Sequence, residues 1–223
     1  GAIFLRSARL ALITVAVCLV LCYPAAFWVS RLTGARKPLV LFLVTLPFFA
    51  NLIVRVYAWM LVLRPTGVLT RALDAVGLGA LAPDLMFTET AVVIGLAYVL
   101  LPFMFLPLYA SIEKLDPALL QASQDLGASP RQGFLRVTLP LTAPGILAGC
   151  LLVFIPAFGN FVVPALLGGA KVMLVGNTIE QQFLAARNWP FGAALAMLVL
   201  GVLLAGLLAY ALRFRRGVAP AAS

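Results

Sequence analysis

Apolar residues in this chain come in long runs separated by brief polar stretches. Five of these runs reach the roughly 20 residues a helix needs to cross a bilayer: Leu10 to Val29, Leu39 to Leu63, Thr90 to Ala110, Leu141 to Pro164, and Phe191 to Leu212. The first, third and fifth are uniform, whereas the second carries Asn51 and Arg55 and the fourth carries Pro144, Pro156 and Pro164. The pattern predicts an all-α, polytopic membrane helix bundle of five spans, each helix satisfying its own backbone hydrogen bonds in lipid. Everything outside the spans is expected to be loop. The longest loops, Arg64 to Glu89 and Ala165 to Pro190, carry turn signals at Arg64-Pro65-Thr66-Gly67, Gly77 to Gly79 and Gly168-Gly169 and are open to an external partner.

Composition agrees with a membrane reading: 64% of residues are hydrophobic and 10% charged, which excludes an ordinary soluble domain. A net charge of +9 would suggest nucleic acid in a soluble protein, but here its distribution between loops reads as topology. Arg31, Arg36, Lys37, Lys114, Arg131, Arg136, Arg213, Arg215 and Arg216 fall on one side. Arg6, Arg9, Arg64, Arg71, Lys171 and Arg187 fall on the other, set against Asp74, Asp84, Glu89 and Glu180. The bias puts the C-terminus in the cytoplasm and Gly1 outside. The chain contains no histidine, which removes the commonest general base and metal ligand, so enzyme chemistry and a metal site are not expected. Cys18, Cys22 and Cys150 lie inside apolar runs and read as small buried hydrophobes.

The stretch from Lys114 to Pro140 is too polar to cross lipid yet suited to helix. Asp116 is an N-cap with Pro117 at the first helical position, and Gly127 stands where a helix end wants a left-handed residue. Leu115, Leu119, Ala122 and Leu126 recur at helical spacing, an apolar stripe on a loop that needs a partner. The alternative, a helix lying on the membrane surface, calls for Lys and Arg, and Pro117 to Gly127 has neither. Ser129-Pro130 predicts a second helix, running through Phe134 to Pro140 and leading into the fourth span.

Gln121-Ala122-Ser123, then Gly127, then Val137-Thr138-Leu139-Pro140 resembles the Glu-Ala-Ala, Gly and Ile-x-Leu-Pro spacing of the loop in type I ABC importer permeases. In that family the loop is a coupling helix seated in a cleft of an ATPase. The resemblance therefore implies docking through Leu119, Gln121, Ala122, Ser123, Asp125, Leu126 and Gly127, with Gln121 in place of the family's glutamate. Leu101 to Leu120, Thr138 to Gly159 and Leu166 to Ala194 resemble the spermidine/putrescine permease group. The resemblance implies one permease domain over residues 1–223 with the docking loop at 114–140, in a bacterial-type inner membrane. It also implies a sixth span missing ahead of Gly1, and Gly1, which is not an initiator methionine, fits a processed or truncated chain. The implied partners are ATPase subunits holding ATP and Mg, a second permease subunit, an external solute-binding protein and membrane lipid, with no cofactor in this chain and no nucleic acid.

Asn51, Arg55 and Trp59 recur every four residues and are expected on one face of the second span. An arginine inside a span is a functional candidate by default, so Arg55 faces a pathway or a neighbouring helix, or else snorkels outward. In the fourth span Pro156 and Pro164 each remove a backbone donor around Gly159, and Phe158, Asn160 and Phe161 are candidate pathway residues there, with helix packing as the plainer reading. A polyamine calls for carboxylates along its route. Some relatives in the group carry them in this break, where this chain has Asn160 and Ala165. A zwitterionic or anionic amine-containing solute is the alternative substrate, and a passive channel or scaffold the alternative function.

Overall fold

The computed structural model describes residues 1–75 and 85–217, and every regular element among them is helical. Three long helices form the core: α1 (Ala2–Ser30), α5 (Glu89–Glu113) and α8 (Leu139–Gly159), with α2 (Arg36–Thr45), α3 (Leu52–Leu63) and α4 (Val68–Ala75) between the first two. In chain order α5 is followed by α6 (Pro117–Asp125) and α7 (Pro130–Gly133), and α8 by α9 (Val162–Leu167), α10 (Val175–Leu184) and α11 (Trp189–Gly217). By length and composition α1, α5, the helical run Pro130–Gly159 and Trp189–Leu208 can each cross a membrane, and the bent pair formed by α2 and α3 brings the number to five when its two halves are counted as one broken span.

Small residues let the core helices approach. Ser7, Ala11, Thr14, Cys18, Cys22 and Ala26 form a fully buried stripe on α1, close enough for the thiols of Cys18 and Cys22 to donate to the carbonyls of Ala97 and Leu101 on α5, each at 3.6 Å. Lipid tails are as apolar as leucine, so close packing of this kind holds membrane helices together where burial of greasy surface cannot. Gly145 on α8 does the same job, since a β-carbon there would stand 2.3 Å from Ser111 Cβ on α5. Leu96, Met104, Phe105 and Leu108 of α5 are sealed at the centre, whereas α11 leaves Met197, Leu200 and Leu204 exposed.

The second span is not straight. Helix α2 tightens into a 3₁₀ turn over Leu46–Phe49, and the chain then turns by 94° into α3. Ala50 is extended, and Asn51 caps α3 by accepting from Ile53 N at 2.8 Å, so the new helix starts at the bend. The fourth span breaks, as its composition suggests, but at Asn160, because Pro144 and Pro156 are accommodated inside α8.

Two loops hold unexpected order. Helix α4 occupies part of Arg64 to Glu89, and α10 lies within Ala165 to Pro190 with Val175, Gly176 and Asn177 buried. Asp84 and the turn signal at Gly77 to Gly79 lie outside the described residues. Pro140 also fails to end a helix, because Phe134–Thr138 widens into a π-helical turn in which Leu139 N–H reaches back five residues to the carbonyl of Phe134. A π turn suits this place, since Pro140 has no N–H to offer an α-helical ladder.

Candidate functional site

The loop between α5 and α8 builds a self-contained helical hairpin. Asp116 Oδ1 accepts from Ala118 N at 2.9 Å, and Pro117 supplies a first-turn residue with no donor to waste. Gly127, at φ +82°, ends α6: its N–H donates to Gln124 O at 2.8 Å and Ala128 N–H to Ser123 O at 3.0 Å, the paired bonds of a Schellman closure. Ser129 and Gln132 exchange a capping box at the start of α7. With its termini satisfied internally, α6 holds its shape without a partner.

What α6 presents is a different matter. Ser123 turns inward, its hydroxyl donating to Leu120 O at 2.7 Å, and it lies so near Gly133 of α7 that a β-carbon there would be 3.1 Å from its Oγ. Leu119, Gln121, Ala122, Asp125 and Leu126 face outward, Leu126 at 88% exposure. Of the seven residues expected in docking, Ser123 thus builds the hairpin and Gly127 shapes its end, leaving the other five on the surface. Beneath α6 lie two cavities, one of about 220 Å³ bordered by Phe27, Arg31, Asp116 and Leu120, the other of about 600 Å³ bordered by Leu119, Leu141 and Pro144.

Behind the hairpin, Phe134 of the π turn meets α1. Its ring stands edge-on to Tyr23 at 5.6 Å and to Phe27 at 6.5 Å, and Arg31 lies 4.8 Å over the Phe27 ring. The Tyr23 hydroxyl is 3.0 Å from Thr142 Oγ1, which already donates to Thr138 O at 2.9 Å, so Tyr23 is the donor. Sequence reasoning missed this junction, since residues more than a hundred positions apart carry no mutual signal. Lys37 pairs with Glu113 nearby, tying the start of α2 to the end of α5.

At the other end, the break after α8 is sealed by α10. Asn160 Oδ1 accepts from Val163 N at 2.9 Å and caps α9. The carbonyl of Phe161 receives the Nδ2 of Asn177 at 2.9 Å, so this acceptor is taken within the chain. Gly176 lies flat against the break, where a β-carbon would come within 2.3 Å of Gly159 O, and Val175 N donates to Ser7 Oγ of α1 at 2.9 Å. Asn177 was another omission of the sequence reading. Its only signal was a polar residue after glycine in Leu174-Val175-Gly176-Asn177.

The six pathway candidates divide. Phe158 is buried edge-on to Phe4 at 5.1 Å, inside the contact between α1 and α8. Asn51 is a cap, and Trp59 packs edge-on to Tyr98 at 5.5 Å. Gly159 and Phe161 remain exposed beside half-buried Asn160. Arg55 has Nε and Nη1 out of contact with solvent and with no hydrogen-bond partner among the described residues. Glu89, the carboxylate near the outer end of the third span, is held by Arg6 at 2.8 Å and by Arg9.

Residues 10–218 match the family model of the binding-protein-dependent transport system inner membrane component. The chain belongs to that family. It is 53% identical over 181 residues to the spermidine/putrescine transport system permease protein PotB of Haemophilus influenzae, an overlap of 81% of this chain and 63% of that protein. The PotB protein of Escherichia coli is 49% identical over 205 residues, 91% of this chain and 74% of that one. The chain thus spans less than two thirds of the first relative's length and about three quarters of the second's. Among solved structures, a bacterial ABC transporter involved in import of the acidic polysaccharide alginate superimposes with a TM-score of 0.69 at 19% identity, over 98% of this chain and 80% of that one. That likeness establishes the fold of this family member as that of an ABC importer's membrane subunit, and its apolar helices make it a multi-pass inner-membrane protein.

Proposed function

We propose that this chain is a permease subunit of an ATP-driven importer of polyamines of the spermidine/putrescine class. It pairs with a second permease subunit, receives solute from an external binding protein, and is driven by separate ATPase subunits that hold ATP and Mg. The observation that carries the reading is α6, a hairpin complete in its own caps that nevertheless exposes Leu119 and Leu126 outside any apolar span. Leu119 and Leu126, seven residues apart, share one helix face, and a paired apolar face on an already stable helix fits a protein cleft that covers it. In this reading Leu119, Gln121, Ala122, Asp125 and Leu126 touch the ATPase, Ser123 and Gly127 hold their geometry, and both the hairpin and the C-terminus are cytoplasmic. Closure of the ATPase pushes α6, and the push reaches α1 through Phe134 and α8 through the π turn. Solute passes the open side of the break at Asn160 and Phe161.

The substrate class is carried by the identity to the two PotB proteins. One observation favours the other reading, a zwitterionic or anionic amine: Glu89 is neutralised by two arginines while Arg55 has no counterion among the described residues. Reconstituted complex, with its binding protein, separates the two. Stimulation of ATP hydrolysis by spermidine or putrescine and not by amino acids or anionic amines is expected. Stimulation by the latter alone would remove polyamines from the proposal.

A further inference from the structure

We propose that Arg55 receives a carboxylate from the second permease subunit, forming an ion pair across the interface between the two membrane chains. The inference rests on the two-permease reading above and adds to it a place and a chemistry.

Arg55 is half-buried, with two of its three guanidinium nitrogens on the shielded side. Its Nε and Nη1 are shielded from solvent yet donate to nothing among the described residues. Guanidinium nitrogens shielded from water and left without an acceptor cost stability, and a hydrogen-bonded opposite charge is the usual resolution. Among the described residues no carboxylate forms an ion pair with Arg55: Glu89 is held by Arg6 and Arg9, Glu113 by Lys37, and Asp116 caps α6.

The surroundings say from which side the acceptor arrives. Helix α3 leaves the line of α2 at 94°, and its Ile53, Val54, Tyr57 and Leu61 are exposed, whereas Val56 and Leu63 are buried against the rest of the chain. Arg55 is thus flanked by an apolar face that no element among the described residues covers. Lipid tails offer no acceptor for a guanidinium. A polyamine offers only donors, so the solute proposed above does not fill the role either. A bidentate carboxylate on an apolar helix matches both the unpaired fork and the apolar rim.

The test is made in the complete transporter, co-expressed with an affinity tag on this chain. Arg55→Met is expected to lower the second permease recovered with it by at least tenfold, with Arg55→Lys in between. Arg55→Cys, with Cys18, Cys22 and Cys150 replaced by alanine, is expected to form a disulfide with cysteine placed at one acidic position in the partner's spans. If Arg55→Met prevents accumulation of the chain, the exchange Arg55→Glu combined with arginine at that partner position is expected to restore it. Full recovery of the second permease with Arg55→Met, absence of any crosslinked acidic position, or failure of the exchange would overturn the pair. An importer that ignores polyamines but keeps this dependence would instead overturn only the substrate class.

Discussion

Phe134 and Tyr23 meet edge to face at 5.6 Å and 89°, joining the π turn behind the hairpin of α6 and α7 to the C-terminal third of the α1 core helix. This contact, reinforced by the Tyr23 hydroxyl on Thr142, is the shortest aromatic route from the hairpin to the spans. An aromatic pair of this kind contributes about 0.5–1.5 kcal/mol beyond its buried area, enough to bias a two-state equilibrium without holding the fold together. Phe134→Leu is therefore expected to leave the complex assembled while lowering transport per ATP hydrolysed roughly 3- to 10-fold. Parallel uptake and phosphate-release measurements on proteoliposomes check this, and an unchanged ratio would show that the push travels elsewhere.

Gly127 sits at φ +82° with open space around the place of a β-carbon, so backbone strain alone opposes substitution. A β-branched residue in the left-handed region costs about 1–2 kcal/mol, and asparagine much less. Gly127→Val is expected to weaken co-purification of the ATPase and Gly127→Asn to preserve most of it. Equal recovery with both would separate the docking surface from the geometry of this cap.

Leu126 is 88% exposed and touches little of its own chain. Leu126→Glu is expected to leave the thermal midpoint of the isolated membrane chain within the noise of a surface substitution, about 0.5 kcal/mol, while abolishing ATPase binding. Binding retained at wild-type affinity would count against α6 as the docking element.

Gly176 and Asn177 lock the break between α8 and α9. A β-carbon at residue 176 meets the carbonyl of Gly159 at 2.3 Å, a backbone atom that cannot rotate away. Gly176→Ala is expected to lower stability by about 1–3 kcal/mol through overpacking. Asn177→Leu, which removes the acceptor of the buried Leu174 N–H and one of the two donors to the Phe161 carbonyl, is expected to cost about 1–3 kcal/mol. Thermal unfolding in detergent reads both, and variants as stable as the parent would mean that α10 is not the seal.

Much of this was legible in residue order because the bilayer imposes simple rules. The length of the apolar runs fixes the helices, and Asp116, Pro117, Gly127 and Ser129 mark the hairpin's ends, since caps are decided by neighbours a few residues away. The exposed apolar stripe of Leu119 and Leu126 was visible for the same reason, although helical spacing did not reveal that Ser123 would turn inward onto Gly133.

The pathway residues were less legible. Asn51, Arg55 and Trp59 share a helical spacing, but the bend at Ala50 made Asn51 a cap, and Phe158 went into the contact between α1 and α8. The sequence by itself determined the long apolar spans and the hairpin's punctuation, because these follow from periodicity and local hydrogen bonding, but not the short helices α4 and α10. Only the tertiary structure decided that the second span turns by 94°, that Asn177 donates to the Phe161 carbonyl, and that Arg55 Nε and Nη1 meet no acceptor among the described residues. Those outcomes depend on which side chains, distant in sequence, arrive at the same point in space.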